Sequence, residues 1–326
     1  MLLFEDIVHA EKIVSKHTVT TPVVHSKTLS DTIGEKIYLK LENQQITGSF
    51  KIRGAINAIS NLNPAQKKAG VVALSTGNHG RGLAFAANLM KIRCIICMSE
   101  LVPINKIEGI KALGAEVRLS GANQDEAQLE ADRLSIEEGM TYVSPFDNID
   151  VIAGQGTLGL EIHQQIPELN FAFVPLSGGG LICGVAKALK SLNRNLKVIG
   201  VSMDRGAAMY ESQKAGKPIF VKEEESLADA LTGGIGLDNK FTFNLTKELV
   251  DEIVLVSEEE IADGINYSYW NESQIVEGAG AVAIASLLNK KFKPTGPSIA
   301  LMCGRNINIE THFSLISQNS NWNSKT

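Results

Sequence analysis

Short, continuous apolar runs alternate with helical stretches along most of this chain. Val71, Val72, Ala73 and Leu74 run into the turn Ser75-Thr76-Gly77-Asn78-His79-Gly80, and a helical pattern follows over 83–89. Ile95, Ile96, Cys97 and Met98 precede a predicted helix over 105–113, which Gly114 closes as a carboxy-terminal cap. Phe171 and the apolar residues after it lead into Ser177-Gly178-Gly179-Gly180 and then a helix over 181–192. The runs 198–201 and 298–302 read as further strands. Strands that are apolar on both faces and alternate with helices indicate parallel sheets with crossover helices. In such open α/β sheets, ligands sit at the glycine-rich turns after the strands, and three such turns compete here. No repeat, low-complexity block or linker interrupts the chain, which predicts two interwoven open-sheet domains with helices on both faces and one shared cleft.

The 326 residues leave room for two modest domains, and 31 basic against 36 acidic residues give a net charge of -5 with no concentrated basic segment. That balance argues against nucleic acid as a partner and for small-molecule chemistry. The first residues, Met1-Leu2-Leu3-Phe4-Glu5-Asp6, carry acids where a secretory signal carries basic residues, and the apolar stretch 279–288 is too short to span a membrane. A cytoplasmic protein is expected. Four cysteines are too few for a disulfide scaffold. Cys94 and Cys97 form a C-x-x-C inside a strand, where positions three apart point to opposite faces, so neither redox nor metal use is expected of them.

Gly154-Gln155-Gly156-Thr157-Leu158-Gly159 matches the spacing of a dinucleotide fingerprint. It lacks both the preceding strand and the acid that would follow about twenty residues later, so these glycines read as helix packing and turn geometry. Ser177-Gly178-Gly179-Gly180-Leu181 is a better anion site, because bare N–H groups between a strand and a helix can cradle a phosphate. In Thr47-Gly48-Ser49-Phe50-Lys51-Ile52-Arg53-Gly54, Lys51 stands just inside a helix start that Thr47 or Ser49 is placed to cap, with Ala55, Ile56 and Ile59 as the apolar stripe. A helix amino terminus and an apolar neighbour such as Phe50 depress a lysine pKa, as a Schiff-base lysine requires.

Taken in order, these segments resemble the threonine/serine dehydratases and serine racemases, the fold type II pyridoxal-phosphate enzymes. Gly48 to Ala55 is similar to that family's cofactor-lysine motif, Ser75 to Gly80 to its substrate-carboxylate loop and Ser177 to Leu181 to its phosphate loop. Pro145-Phe146-Asp147 with 151–157 matches a further stretch, and Cys303 stands where the group facing the pyridine nitrogen is expected. The resemblance implies a tryptophan synthase β-like fold, with a large cofactor-binding domain over 1–45 plus 146–326 and a small domain over 46–145 that closes on the substrate. It implies pyridoxal 5'-phosphate on Lys51, which also acts as the base at Cα. The phosphate would lie on Ser177, Gly178, Gly179, Gly180 and Leu181, and Asn78 would bond the ring hydroxyl. Phe50, Gly236 and Glu277 would lie near the ring, while Ser75, Thr76, Asn78 and His79 would hold the substrate carboxylate.

A thiol at the pyridine nitrogen makes the ring a weaker electron sink, which suits β-elimination from a hydroxy amino acid, an ammonia-lyase reaction giving a 2-oxo acid and ammonia. Serine racemisation ranks second, because Thr76 replaces the serine that serves as second base in that branch. No metal is expected, since 202–208 lacks the acids of the racemase divalent-metal site. The same segment, Met209 and Arg305 resemble the hydroxyectoine-utilisation dehydratases, a subgroup that leaves a 3-hydroxyaspartate-type substrate open; Arg205 and Arg305 could meet an acidic substrate or pair with neighbouring carboxylates. The family also implies a homodimer, and with a short stretch after Cys303 the regulatory domain of biosynthetic threonine dehydratases is not expected.

Overall fold

The computed structural model describes residues 1–318 apart from Thr76 and Pro103. Among these residues the ten strands are β1 (Val23–His25), β2 (Ile37–Lys40), β3 (Val71–Leu74), β4 (Cys94–Met98), β5 (Glu116–Leu119), β6 (Thr141–Tyr142), β7 (Phe171–Pro175), β8 (Lys197–Met203), β9 (Glu252–Val256) and β10 (Ser298–Leu301). They form a six-stranded sheet in the order β1-β2-β10-β7-β8-β9 and a four-stranded sheet in the order β5-β4-β3-β6. Every pairing is parallel except that of β1 with β2. The mixed α/β architecture expected from the alternating runs is therefore present.

Both faces of the small sheet are covered, which is why its central strands lack polar alternation. Val71, Ala73, Cys94, Ile96 and Met98 face one apolar cluster, while Val72, Ile95 and Cys97 face another. The C-x-x-C pair is split between these two faces. Burial pushes Cys94 up to about 12 and Cys97 to about 11, so both remain inert thiols.

In the large sheet, β7 pairs with β8 on one side and with β10 on the other. The chain leaving β7 turns through Ser177–Gly179 into the helix Gly180–Leu192, while the chain leaving β10 reaches Cys303. The two carboxyl ends thus lie side by side where the strand order reverses, the place at which such sheets open a crevice.

The G-x-G-x-x-G lies within the helix Ile149–Gln165 and meets no strand-to-helix turn. A Cβ on Gly154 would come within 2.6 Å of Arg53 O, and one on Gly159 within 2.8 Å of Val185 O. A Cβ on Gly184 would collide with Ile152 O. These glycines bring the Ile149–Gln165 helix into backbone contact with the helix Lys51–Ser60 on one side and Gly180–Leu192 on the other.

A charged cluster is buried beneath the Lys51–Ser60 helix. Arg53 donates through Nε and Nη2 to the two oxygens of Glu42 at 2.8 Å each, and Nη2 also reaches Glu161 at 2.8 Å. Lys40 donates to Glu161 at 2.5 Å. Burial works to raise Glu42, but Arg53 outweighs it and the net shift is downward. Among the described residues, no helix is long and apolar enough to cross a membrane.

Candidate functional site

The start of the Lys51–Ser60 helix is fixed by backbone contacts, contrary to the expected hydroxyl cap. Phe50 is the N-cap, no side chain caps it, and the hydroxyls of Thr47 and Ser49 are buried without a partner. Phe50 N–H instead donates to Cys303 O at 3.2 Å, Arg305 N–H to Gly48 O at 2.9 Å, and Ser49 bridges to Gly304. Gly48 has φ +78°, a left-handed conformation that a side chain would resist. The lysine helix and the segment after β10 are thereby held in register.

Lys51 Nζ donates to Pro145 O at 2.8 Å and lies 5.4 Å from the centre of the Phe50 ring. Burial lowers its pKa to about 8, partly opposed by Cys303 and Glu277. Only the neutral amine attacks a carbonyl, and its fraction falls tenfold for each pH unit below the pKa. Uptake of an aldehyde cofactor by the apoprotein, followed by stopped-flow absorbance, is therefore expected to quicken about tenfold per pH unit up to pH about 8 and then level off. A rate still climbing at pH 10, as for an ordinary lysine, would contradict this account.

Around Lys51 lies a cleft of about 690 Å³ lined by Phe50, Asn78, Phe146, Ser177 to Leu181, Glu277 and Cys303 among others. The helix Gly180–Leu192 starts in this lining with Gly179 at φ +91° and no side-chain cap. Its first-turn N–H groups have no carbonyl of their own helix to meet, which suits a bound anion. Side chains at 178 or 180 would strike Phe146, so only glycine lets this loop lie against that ring. Cys303 donates its S–H to Ala279 O at 3.3 Å, and burial raises its pKa well above the ordinary thiol value. It remains a neutral thiol.

A second recess of about 1000 Å³ shares Lys51, Asn78 and Glu277 with the first and adds Ser75, His79, Arg81 and Lys106. Ser75 Oγ accepts from Gly80 N–H at 2.9 Å and Gly77 N–H at 3.3 Å, tying the loop down. Asn78 donates to Glu277 Oε1 at 2.6 Å and accepts from Asn306 at 2.5 Å. Glu277 Oε2 accepts from Asn306 N–H at 3.0 Å. Burial raises Glu277 to about 7, its proximity to Asp229 adding to the rise and the Asn78 bond opposing it. His79 Nε2–H donates to Val143 O at 2.8 Å, and burial, with Lys51 nearby, lowers its pKa to about 3, so the ring is neutral. The Ser75 and His79 side chains and one amide hydrogen of Asn78 are engaged in shaping the loop. The N–H groups of Asn78 and His79 lie in the first turn of the helix Asn78–Leu89, where no carbonyl of their own helix can accept from them, an arrangement that suits a carboxylate.

The structure thus gathers Phe50, Lys51, Ser75, Asn78, His79, Ser177, Gly178, Gly179, Gly180, Leu181, Glu277 and Cys303 around one cleft. Thr76 lies outside the described residues. Gly236 is exposed and does not line the cleft; Gly233, at φ +97°, does. Sequence reasoning did not single out Asn306 as the partner of Asn78 and Glu277, Pro145 as the acceptor for Lys51, or Arg81.

A family model described as pyridoxal-phosphate dependent enzyme matches residues 14–304. The chain belongs to that family. A protein of Sinorhizobium fredii provisionally named a threonine dehydratase is 49% identical over 97% of this chain and 95% of its own length. The L-threonine ammonia-lyase of Thermotoga maritima is 42% identical over 95% of this chain and 77% of its own. The structure of maize serine racemase superposes with a TM-score of 0.90 at 30% identity, covering 98% of each chain. The residues present fit pyridoxal phosphate: a buried lysine with a lowered pKa, an uncapped helix start lined by glycines, and a neutral thiol share one cleft.

Proposed function

We propose that this pyridoxal-phosphate enzyme is an ammonia-lyase that removes water from a small β-hydroxy amino acid and releases a 2-oxo acid and ammonia. The reading rests on one observation above all, that Lys51 stands in the wall common to the glycine-lined cleft and the polar recess beside it. One amine there can anchor the cofactor and then face the substrate Cα. When bound, pyridoxal phosphate supplies the electron sink that acidifies that Cα–H. Lys51 takes the proton as general base, a task suited to an amine whose pKa burial has brought to about 8. Ser177 to Leu181 hold the phosphate. Asn78, clamped by Glu277 and Asn306, keeps its second amide hydrogen for the ring hydroxyl. Phe50 closes the apolar side, and the Ser75-Thr76-Gly77-Asn78-His79 loop holds the substrate carboxylate and fixes its orientation.

Cys303 has given its S–H to Ala279 O and would offer no ionic partner to the ring nitrogen of a bound cofactor. A weak sink of this kind favours early departure of a β-hydroxyl over a long-lived carbanion. The names of the relatives agree with this reaction, L-threonine and L-serine being the first substrates to try. Racemisation is the second reading, favoured by the likeness to maize serine racemase; it requires a second base opposite Lys51, for which the sequence offers Thr76. We further assign 1–45 with 146–326 to a cofactor-binding domain and 46–145 to a smaller domain closing over the substrate. In support, the four-stranded sheet falls wholly within 71–142. A homodimer acting in the cytoplasm is the assembly the family resemblance suggests. The test is ammonia and oxo-acid release from L-serine, L-threonine and D-serine beside a chiral assay of recovered serine. Oxo acid from an L-hydroxy amino acid supports the lyase, whereas enantiomer formation outrunning it would make the enzyme a racemase.

A further inference from the structure

Residues 143–148 carry the chain from β6 of the four-stranded sheet to the helix Ile149–Gln165. Two neighbours in this crossing meet the cleft. Pro145 O accepts from Lys51 Nζ. Phe146 lies against the Ser177–Leu181 turn, its ring where a side chain at 178 would go and its Cα 2.8 Å from the place of a Cβ on Gly180. Among the described residues, however, no hydrogen bond between main-chain groups holds 144–147. Side chains hold it instead. Ser144 Oγ accepts from Asp147 N–H at 3.0 Å. The Asp147 carboxylate accepts from three consecutive N–H groups, Lys240 at 2.6 Å, Phe241 at 2.9 Å and Thr242 at 3.0 Å. These donors stand at the start of the helix Thr242–Leu249, whose own N-cap, Phe241, supplies no side-chain acceptor. A helix ordinarily takes its cap from the residue just before it; here the acceptor of Thr242 N–H lies 95 residues away. Thr242 also touches the glycine turn, its Cβ 3.0 Å from the place of a Cβ on Gly179. The turn thus touches both Phe146 and Thr242, and Asp147 ties these two neighbours to each other.

We propose that Asp147 is a positioning residue of the cofactor site: it fixes the carbonyl that holds the Lys51 amine and the ring that backs the phosphate turn, and so sets how tightly pyridoxal phosphate is held. This rests on the cofactor placement above, with Lys51 as the anchor and Ser177 to Leu181 as the phosphate cradle. Hydrogen bonds to an ionised carboxylate are the strong ones, and three of them converge on this side chain. Without the carboxylate, three N–H groups at a helix start lose their acceptor, and 144–147 keeps only the Ser144 turn and the bond from Lys51. The Pro145 carbonyl is then free to shift, and the Phe146 ring with it. Water gains access to the Lys51 amine. Because burial is the main cause that lowers the pKa of this amine, loosening its cover raises it again toward the ordinary lysine value. Asp147 touches neither the amine nor the phosphate turn in this scheme and acts only through Pro145 and Phe146.

The test compares the full chain in the wild type, Asp147→Ala, Asp147→Asn and Lys247→Gly by two readouts that need no turnover. Titration with pyridoxal phosphate, followed by absorbance, gives Kd, and the pH at which cofactor uptake levels off reports the Lys51 amine. Asp147→Ala should weaken Kd at least about tenfold, the scale of lost hydrogen bonds to a charged group. It should also move the levelling point, about 8 in the wild type, upward by about one pH unit. Asp147→Asn keeps one oxygen for Phe241 and Thr242 but turns an amide N–H toward Lys240 N–H, so its losses should have the same sign and be smaller. Lys247→Gly weakens the same helix at an exposed position. It should lower the melting temperature while leaving Kd within about threefold and the levelling point in place. Wild-type values of both readouts in the two Asp147 variants would reduce the residue to a helix cap and overturn the proposal. So would losses in Lys247→Gly as large as those in Asp147→Ala, since helix stability would then carry the effect. Should Asp147→Ala not fold, Asp147→Asn decides by the same two readouts. Borohydride reduction of the wild-type holoenzyme and peptide mapping separate the two layers of the inference. Cofactor fixed on a lysine other than Lys51 overturns the placement and the role of Asp147 with it. Cofactor fixed on Lys51, with the Asp147 variants unaltered, overturns the role of Asp147 alone.

Discussion

Lys51→Ala is expected to yield a folded, colourless protein with at least about a thousandfold lower turnover, the scale of losing a positioned acid–base group. The fold should survive because the side chain contributes a single hydrogen bond, to Pro145 O, and forms no ion pair among the described residues. Removing it also relieves the desolvation of a buried amine. Three measurements separate this outcome from general damage. The visible absorbance of the cofactor should be lost, borohydride should fix no cofactor to the chain, and the melting temperature should stay within a few degrees of the wild type. Retained borohydride fixation in the variant would place the covalent anchor on another lysine.

The second large effect concerns stability. Arg53→Met removes the cation that faces both Glu42 and Glu161, and Glu161 still keeps Lys40. Glu42 is then left buried and ionised, with Thr21 as its one side-chain hydrogen-bond donor among the described residues. Breaking a buried pair from one side costs about 3–5 kcal/mol, which for a chain of this size lowers the melting temperature by roughly 4–7 °C. Because Arg53 holds Glu42 below the usual carboxylate range, the stability it lends is present above the unfolded carboxylate pKa and is lost as pH falls through the lower folded one. Adding Glu42→Gln to Arg53→Met should recover part of the loss, since the stranded charge is gone. If the double variant melts no higher than Arg53→Met, packing of the arginine stem is the main contribution.

Much of this was legible in the sequence, for identifiable reasons. Strands such as Phe171–Pro175 and Cys94–Met98 are buried on both faces, so nothing else explains their unbroken apolar runs. That Lys51 and the Ser177 loop stand at helix starts was readable because each depends on local chain geometry there. The edge strand Glu116–Leu119 is half exposed and carries charges, and Val23–His25 has three residues, so neither shows a periodic signal. The partnership of Asn78, Glu277 and Asn306 joins positions 199 and 228 residues apart, which no local pattern encodes. Gly236 was singled out as a neighbour of the cofactor ring, whereas Gly233 is the glycine of this turn that lines the polar recess. Both have positive φ, and sequence cannot say which turn faces the cleft. The cap expected from Thr47 or Ser49 failed for a similar reason, because long-range strand pairing through Gly304 had already fixed the helix entrance.

The glycines that imitate a dinucleotide fingerprint act as a gauge block. Lys51 rides on one helix and the Ser177–Leu181 turn leads into another, and the Ile149–Gln165 helix touches both through Gly154 and Gly159, with Gly184 meeting it from the side of that turn. Backbone approaches backbone at each contact, so the span from the Lys51 amine to the Ser177–Leu181 turn is machined by main-chain thickness and leaves no side-chain rotamer to adjust it. A single methyl group at Gly154 would widen that span and move a lysine it never touches.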